Sequence, residues 1–168
     1  MQKVVNDFLS FARPVHLNVE SVRLQDLIND CVAEVKVTAP ASFQFEVRGT
    51  FPVVPGDEMM LRQIFSNLLR NAVESVNSDT TGHVLVEGAL AVEGRFVWID
   101  VQDNGSGIKS EDITRVFTPF FSTKHTGVGL GLAIVQKLIL QHNGAISVDS
   151  SLNGTRFRIQ LPIEAVLV

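Results

Sequence analysis

The chain has 168 residues, of which 45% are hydrophobic and 19% charged. This is the composition of one folded globular domain and excludes a disordered chain. A net charge of −4 argues against a nucleic-acid surface, which needs clustered Lys and Arg. Cys31 is the single cysteine, which excludes a disulfide framework or a Cys-based metal site. Because no apolar run reaches membrane-spanning length, we expect a cytoplasmic domain without direct membrane contact, an expectation compatible with a membrane-anchored parent protein.

The first residues, MQKVVNDFLSFARPV, differ from the rest of the chain. Their apolar residues recur at helical spacing before Pro14, which predicts a short helix that ends there. Its apolar stripe either packs on the domain itself or belongs to a longer helix that pairs with a helix outside this chain.

The rest of the chain alternates predicted strands and helices. Periodicity predicts strands at 19–22, 43–47, 83–89, 95–101, 145–149 and 156–161. It predicts helices at 24–35, at 57–76 and from Gly131 to the stop signal Asn143-Gly144. Strands on one side and helices on the other imply a two-layer α/β (α+β) sandwich.

Asn67 and Asn71 lie four residues apart on the helix at 57–76, so their side chains share one face. That face borders the apolar stripe and therefore the edge of the core. The two amides are either tolerated surface residues or oxygen ligands for a hard cation such as Mg²⁺.

Asp103 follows Val97, Ile99 and Val101 on the core-facing side of a predicted strand. A carboxylate at such a position is costly unless a hydrogen-bond donor reaches it, and the exocyclic amine of adenine is such a donor. The following Asn-Gly-Ser-Gly lets the backbone turn sharply and approach a flat ligand. The alternative is an ordinary Asp-Asn-Gly turn.

Gly127, Gly129 and Gly131 alternate immediately before a predicted helix. Such a start exposes backbone N–H groups and the positive end of the helix dipole, which suits a phosphate. The spacing is neither that of a Walker loop nor that of a Rossmann fingerprint, and a flexible loop explains the glycines equally well.

The segment KSEDITRVFTPFFSTKHT separates the two glycine-rich stretches. Ser110 with the acidic residues after it is typical of a helix start. Phe117, Phe120 and Phe121 could anchor a lid or fill the core. Lys124 is placed to meet a γ-phosphate, although a solvated lysine is the simpler interpretation.

The order of these segments resembles the sensor histidine kinases. Residues 57–75 resemble their N box, DNGSGI (103–108) the G1 box, FTPFFSTK (117–124) the F box, GVGLGLAI (127–134) the G2 box and NGTRFRIQLP (153–162) the closing strand. VVNDFLSFARP is similar to the end of the dimerisation helix in nitrogen-regulation-type kinases. The resemblance implies the Bergerat ATP-binding fold, a mixed, largely antiparallel sheet on three main helices.

The resemblance also implies roles for individual residues, with ATP and Mg²⁺ as cofactors. Asn71 would bind Mg²⁺, while Asn67 and Lys124 would support catalysis. The nucleotide would contact Asn67, Asn71, Asp103, Gly105, Gly107, Ile108, Phe117, Lys124, Gly127, Val128, Gly129, Leu130, Gly131 and Thr155. In this scheme Asp103 reads adenine, Thr155 completes the base environment, and residues 127–131 close over the phosphates.

Three features depart from the family pattern. Val128 stands where many relatives have threonine, and Glu74 stands where some have a basic residue. The phosphoacceptor motif, a His-Glu-rich helix, is missing, since none of the four histidines has that context. Residues 1–16 are therefore expected to end a dimerisation and phosphoacceptor helix, and 17–168 to form the catalytic ATP-binding domain.

The expected function is transfer of the γ-phosphoryl group of ATP to a histidine on the upstream or a separate helical domain. The expected partners are that domain and a response regulator receiver domain, with a homodimeric full-length parent. The chain alone should not autophosphorylate. Alternatives are a gyrase-like hydrolytic switch, an anti-sigma-type serine kinase and a non-enzymatic nucleotide sensor. Asn67 argues against hydrolysis, because gyrase-type enzymes place a general-base glutamate there and an amide cannot accept the proton.

Overall fold

The computed structural model describes residues 16–77, 80–123 and 128–164. The strands in these ranges are β1 (Glu20–Arg23), β2 (Gln44–Gly49), β3 (Val53–Gly56), β4 (His83–Leu90), β5 (Phe96–Asp103), β6 (Ala145–Ser151) and β7 (Gly154–Pro162). The helices are α1 (Leu24–Thr38), α2 (Glu58–Ser75) and α3 (Gly131–Gln141), with a 3-10 turn at Ile113–Arg115. The predicted terminal helix at 1–15 lies outside the described residues.

Five strands form one sheet in the order β2-β4-β5-β7-β6. The β2–β4 pair is parallel, and the other three pairs are antiparallel. The helices pack on one face of this sheet, which confirms the predicted two-layer sandwich with a mixed, largely antiparallel sheet. Alternate residues of β5, namely Val97, Ile99 and Val101, are buried between the sheet and the helices, as the period of two requires.

The structure differs from the sequence predictions in two places, a strand that was not predicted and a predicted helix that does not form. β3 pairs with β1 in a separate two-stranded antiparallel sheet, although Pro55 and Gly56 make its sequence a poor strand candidate. The helix start predicted at Ser110 is a turn that leads only to the 3-10 turn at Ile113–Arg115, where no side chain caps the N-terminus. Glycines and Pro119 on both sides leave too short a stretch for a stable α-helix.

Helix α2 is anchored at its start by Asp57. The Asp57 carboxylate accepts hydrogen bonds from the backbone N–H of Met60 (3.1 Å) and of Asn18 (3.0 Å). The backbone N–H of Asp57 donates to His142 Nε2 (3.0 Å), and the other ring nitrogen of His142 lies 2.7 Å from the Leu138 carbonyl oxygen. His142 thus ties the end of α3 to the start of α2.

Cys31 lies in the core between α1 and α2. Its Sγ is 3.7 Å from the Ser66 hydroxyl, and burial raises the pKa of the thiol. Because the thiolate is the reactive form, this cysteine is a packing residue. Nearby, Arg62 joins the two helices through ion pairs with Asp30 (3.2 Å) and Glu34 (3.1 Å).

Candidate functional site

A cavity of about 470 Å³ lies between α2, the start of α3, the end of β5 and the start of β7. The predicted site residues that line it are Asn67, Asn71, Asp103, Gly107, Ile108, Val128, Gly129, Leu130, Gly131 and Thr155. The amides of α2, the carboxylate at the end of β5 and the glycine loop (residues 128–131) therefore face the same space. Residues more than 80 positions apart in sequence meet here.

Asp103 stands at one end of the cavity, where donors from three segments of the chain reach its carboxylate. Its Oδ1 accepts hydrogen bonds from the Ser75 hydroxyl (2.9 Å), the backbone N–H of Gly105 (2.9 Å) and the backbone N–H of Thr155 (3.3 Å). Hydrogen bonds from such donors offset the free-energy cost of removing a half-buried carboxylate from water. The carboxylate is thus fixed from α2, from its own turn and from the neighbouring strand.

Thr155 and Ser150 extend this polar network across the β6–β7 hairpin. The two hydroxyl oxygens are 2.8 Å apart, and the Ser150 Oγ accepts a hydrogen bond from the backbone N–H of Ile108 (2.8 Å). Thr155 is buried, with 6% of its surface exposed. The loop after β5 is therefore bonded to the hairpin that faces it.

Glycines let this loop approach its neighbours closely. A methyl group on Gly105 would collide with the Ser75 hydroxyl, and one on Gly107 with the Ser151 carbonyl oxygen. Gly107 also has φ +73°, a conformation that disfavours residues with a side chain. Gly105 and Gly107, both predicted site residues, thus have a steric reason to be glycine.

The two asparagines occupy successive turns of α2 on its cavity side. Asn67 lies beside the start of α3, where its Oδ1 would be 3.7 Å from a methyl group on Gly131. Asn71 lies one turn closer to Asp103. Ser75, in contact with Asp103, is eight residues after Asn67, which corresponds to about 12 Å along the helix axis. The row Asn67, Asn71, Ser75 therefore spans the length of the cavity.

The glycine loop forms the opposite wall. Gly129 has φ +73°, and its carbonyl oxygen accepts a hydrogen bond from the backbone N–H of Phe120 (2.9 Å). Helix α3 begins at Gly131 without a side-chain cap. Its first N–H groups thus resemble the uncapped helix start that binds anions in other proteins.

The phenylalanines of the intervening segment have different environments. Phe117 packs edge-on against Phe157, with ring centroids 6.3 Å apart. Phe121 lines the cavity and lies under the Arg115 guanidinium, 4.4 Å from its carbon to the ring centroid. Phe120 is 60% exposed. One ring therefore supports the core, one faces the cavity and one faces solvent.

Some predicted residues are not on the cavity wall. Gly105 packs behind it against Ser75, and Phe117 lies behind Phe157, which does line the cavity. Lys124 and Gly127 fall outside the described residues. Their roles in the site stay predictions, as do the individual roles of the residues on the wall.

The sequence interpretation missed several residues that line the cavity, among them Arg70, Ser75 and Ser106. Ser75 had a usable signal, because it continues the four-residue spacing of Asn67 and Asn71 along one helix face. Arg70 and Glu74 are also on the wall, so a cation and an anion on α2 border the same space.

Two features are absent from the part of the chain that the structure describes. Among residues 16–77, 80–123 and 128–164, no group of three or more His, Cys, Asp or Glu side chains could hold a metal ion. Within the same ranges, each helix is too short or too polar to cross a bilayer.

A family comparison decides which class of protein carries this cavity. The sequence profile described as "Histidine kinase-, DNA gyrase B-, and HSP90-like ATPase" matches residues 56–165, which include α2, both glycine stretches and the closing hairpin. The chain belongs to this family.

The relatives of this ATPase-family chain include sensor histidine kinases. The chain is 34% identical over 167 residues to the sensor histidine kinase ZraS of Escherichia coli O157:H7. The aligned region covers 97% of the chain and 36% of the relative. The chain is 31% identical to the nitrogen regulation protein NtrY of Azorhizobium caulinodans over 97% of the chain and 22% of the relative. The chain thus spans about a third or less of these curated relatives.

Solved structures place the chain among the histidine kinase catalytic domains. The mycobacterial sensor histidine kinase MprB matches with a TM-score of 0.79 and 30% identity, over 88% of the chain and 99% of that structure. Full-length ShkA in complex with AMPPNP matches with a TM-score of 0.85 and 29% identity, over 98% of the chain and 36% of that structure. These matches confirm the Bergerat-type fold expected from the resemblance.

Proposed function

We propose that this histidine kinase catalytic domain binds ATP with Mg²⁺ in the cavity and donates the γ-phosphoryl group to a histidine on a helical domain. The observation that carries the proposal is the convergence of Asn71, Asp103 and Gly129 on one cavity. Asp103 would accept a hydrogen bond from the adenine amine, and the glycine loop would hold the phosphates. The AMPPNP complex of the relative ShkA supports a nucleotide as the ligand.

The dimensions of the cavity suit this orientation. Asp103 and Ser75 mark one end, and Asn67 with the start of α3 marks the other, about 12 Å away along α2. A nucleotide laid along α2 would have its base at Asp103 and its phosphates at the uncapped N–H groups of α3. In the reverse orientation the phosphates would meet the Asp103 carboxylate, and repulsion of like charges would oppose binding.

The donor set of α2 suits Mg²⁺ when phosphate oxygens complete the coordination. Mg²⁺ prefers oxygen ligands, keeps several waters and is often held by one or two protein groups plus phosphates. The Asn71 amide oxygen would provide the protein ligand, with Asn67 beside it at the phosphate end. The cation, when bound, neutralises charge on the phosphates.

The chemistry would be transfer and not hydrolysis. An acceptor histidine nitrogen would form the new P–N bond while the bond from the γ-phosphorus to the bridging oxygen breaks and ADP leaves. Catalysis of such a step depends on positioning and charge neutralisation. Asn67 cannot act as a general base for water, and Lys124 is proposed to approach the γ-phosphate.

We further propose that the histidine lies on the parent's helical dimerisation domain, of which residues 1–16 are the end, and that 17–168 form the catalytic domain. A receiver domain would then take the phosphoryl group. The histidine kinase ThkA has been crystallised in complex with the response regulator protein TrrA. That structure matches this chain with 23% identity and a TM-score of 0.81. At this identity, the match shows that the two proteins share a fold. The parent is proposed to be a homodimer with this domain in the cytoplasm.

Calorimetric titration with ATP and ADP, each with and without Mg²⁺, tests the binding step. We expect both nucleotides to bind, with Mg²⁺ strengthening ATP binding more than ADP binding because the γ-phosphate adds negative charge for the cation to neutralise. Absence of binding at millimolar nucleotide would contradict the proposal.

A second assay separates transfer from hydrolysis. The chain is incubated with γ-labelled ATP, alone and with a separately produced histidine-bearing helical domain from its parent protein. We expect label on the added domain, no label on this chain alone, and little phosphate release. Steady phosphate release without a partner would favour the gyrase-like alternative.

A further inference from the structure

Ser75 is the last residue of α2 and the point where this helix touches the end of β5. Its hydroxyl oxygen lies 2.9 Å from Asp103 Oδ1 and 2.8 Å from the Ala72 carbonyl oxygen. Its own carbonyl oxygen accepts a hydrogen bond from the backbone N–H of Ser106 (3.1 Å). Ser75 is thus bonded to the carboxylate and also to the loop that follows it.

The single proton of the Ser75 hydroxyl has a preferred acceptor. Both neighbouring oxygens are within hydrogen-bond distance, but only Asp103 is an ionisable carboxylate. Donation to the charged oxygen is the stronger bond. If the proton pointed to Ala72 instead, a hydroxyl lone pair would face a negative oxygen at 2.9 Å. The proton therefore goes to Asp103.

Close packing restricts the position of the Ser75 hydroxyl. Gly105 approaches so closely that a methyl group there would collide with the Ser75 Oγ. The two other donors to Asp103 Oδ1 are backbone N–H groups, of Gly105 and of Thr155. Ser75, by contrast, donates to Oδ1 from its side chain, and this donor can be removed without altering the backbone.

We infer that Ser75 is a positioning residue for base recognition, because it fixes the orientation of the Asp103 carboxylate that would read the adenine amine. This inference rests on the proposed function. Removing the hydroxyl takes away one of the donors to Asp103 Oδ1, so the carboxylate is held less firmly in one orientation. A ligand that donates a hydrogen bond to the carboxylate should then bind more weakly. The affinity of a ligand without an amine at that position should be unchanged.

The test compares ATP with inosine triphosphate, which has a carbonyl oxygen in place of the adenine amine. Kd values for both are measured by calorimetry for the parent chain, Ser75→Ala and Ser75→Cys. Cysteine nearly preserves the shape of serine but is a weak donor. Ser66→Ala removes a hydroxyl from the same helix away from the cavity and serves as the matched control.

We expect Ser75→Ala and Ser75→Cys to lower the preference for ATP over inosine triphosphate by about tenfold, the scale of a hydrogen bond to a charged group. Binding of inosine triphosphate and the preference of Ser66→Ala should stay as in the parent. An unchanged preference in both Ser75 variants would overturn the inference, as would an equal loss of both nucleotides. A parent chain that binds both nucleotides equally would instead contradict the proposed base-reading role of Asp103.

Discussion

The two ends of the cavity are built differently. At the end marked by Asp103, a carboxylate, three hydroxyls and several backbone N–H groups are hydrogen-bonded in one network. At the end marked by Asn67, the wall consists of amides, the glycine loop and an uncapped helix start. The first end thus presents a carboxylate held in place, as the proposed base-reading role requires, whereas the second presents amides and N–H groups that would bind the phosphates and the cation of the proposed nucleotide.

This contrast predicts how substitutions divide between the two ends. Changes near Asp103 should alter which base is bound and be insensitive to Mg²⁺. Changes near Asn67 and Asn71 should alter the response to phosphate number and Mg²⁺ while leaving base preference intact.

The largest effect is expected for Asp103→Asn. The neutral amide weakens the bonds from Ser75, Gly105 and Thr155 and would place an N–H₂ group against the adenine amine. We expect ATP affinity to fall about 100-fold, the upper range for bonds to a charged group, with a smaller loss for inosine triphosphate. Calorimetry on both nucleotides measures this, and Asp26→Asn on α1 removes the same charge from the surface as a control. ATP affinity within twofold of the parent would contradict the assignment.

A smaller and different effect is expected for Asn71→Ala. Loss of the amide oxygen removes the proposed Mg²⁺ ligand, so ATP affinity with Mg²⁺ should fall about tenfold, or about 1.4 kcal/mol. In the presence of a chelator that removes Mg²⁺, the ATP affinity of the variant should match that of the parent chain. Asn29→Ala, which removes an exposed amide from α1, is the control. A loss that persists without Mg²⁺ would place Asn71 outside metal binding.

The smallest effect is expected for Gly129→Ala. A methyl group there would lie 2.6 Å from the Phe120 carbonyl carbon at φ +73°, so the glycine loop must shift. ATP affinity should fall a few-fold while adenosine binding is unchanged, since adenosine does not reach the loop.

Gly94→Ala is the matched control for this change. Gly94 has φ +67° with open space around it, so it shares the backbone strain of about 1–2 kcal/mol without the collision. Both variants should lose thermal stability, measured by melting temperature, but only Gly129→Ala should lose ATP affinity. Equal ATP affinity in the two variants would show that the loop shift does not matter.

The sequence predicted the two-layer fold and about half of the residues on the cavity wall, in part from local patterns and in part from the family resemblance. Alternation along β5 placed Asp103 on the core side, and a spacing of four placed Asn67 and Asn71 on one face of α2. These patterns depend on the period of a strand or helix and not on what the element packs against.

What the sequence did not predict depends on contacts between distant segments. β3 contains Pro55 and Gly56 and is a strand only because β1 lies beside it. The role of Ser75 requires the end of α2 to meet the end of β5, 28 positions later. The four-residue spacing could place Ser75 on the same helix face as Asn67 and Asn71, but periodicity alone could find neither its contact with Asp103 nor the pairing of β3 with β1.

The parallel pairing of β2 with β4 has a consequence for this cavity. Two parallel neighbours cannot be joined by a hairpin, so the chain must cross over between them, and α2 is the main element of that crossover. Adding or deleting one residue of α2 between Asn71 and Ser75 would rotate the two parts of the helix relative to each other by about 100° and slide them by about 1.5 Å. Asn67 and Asn71 would then lose their alignment with Ser75 and Asp103. Insertions and deletions are therefore better tolerated in the exposed turn between β4 and β5 than in α2, which carries the two amides.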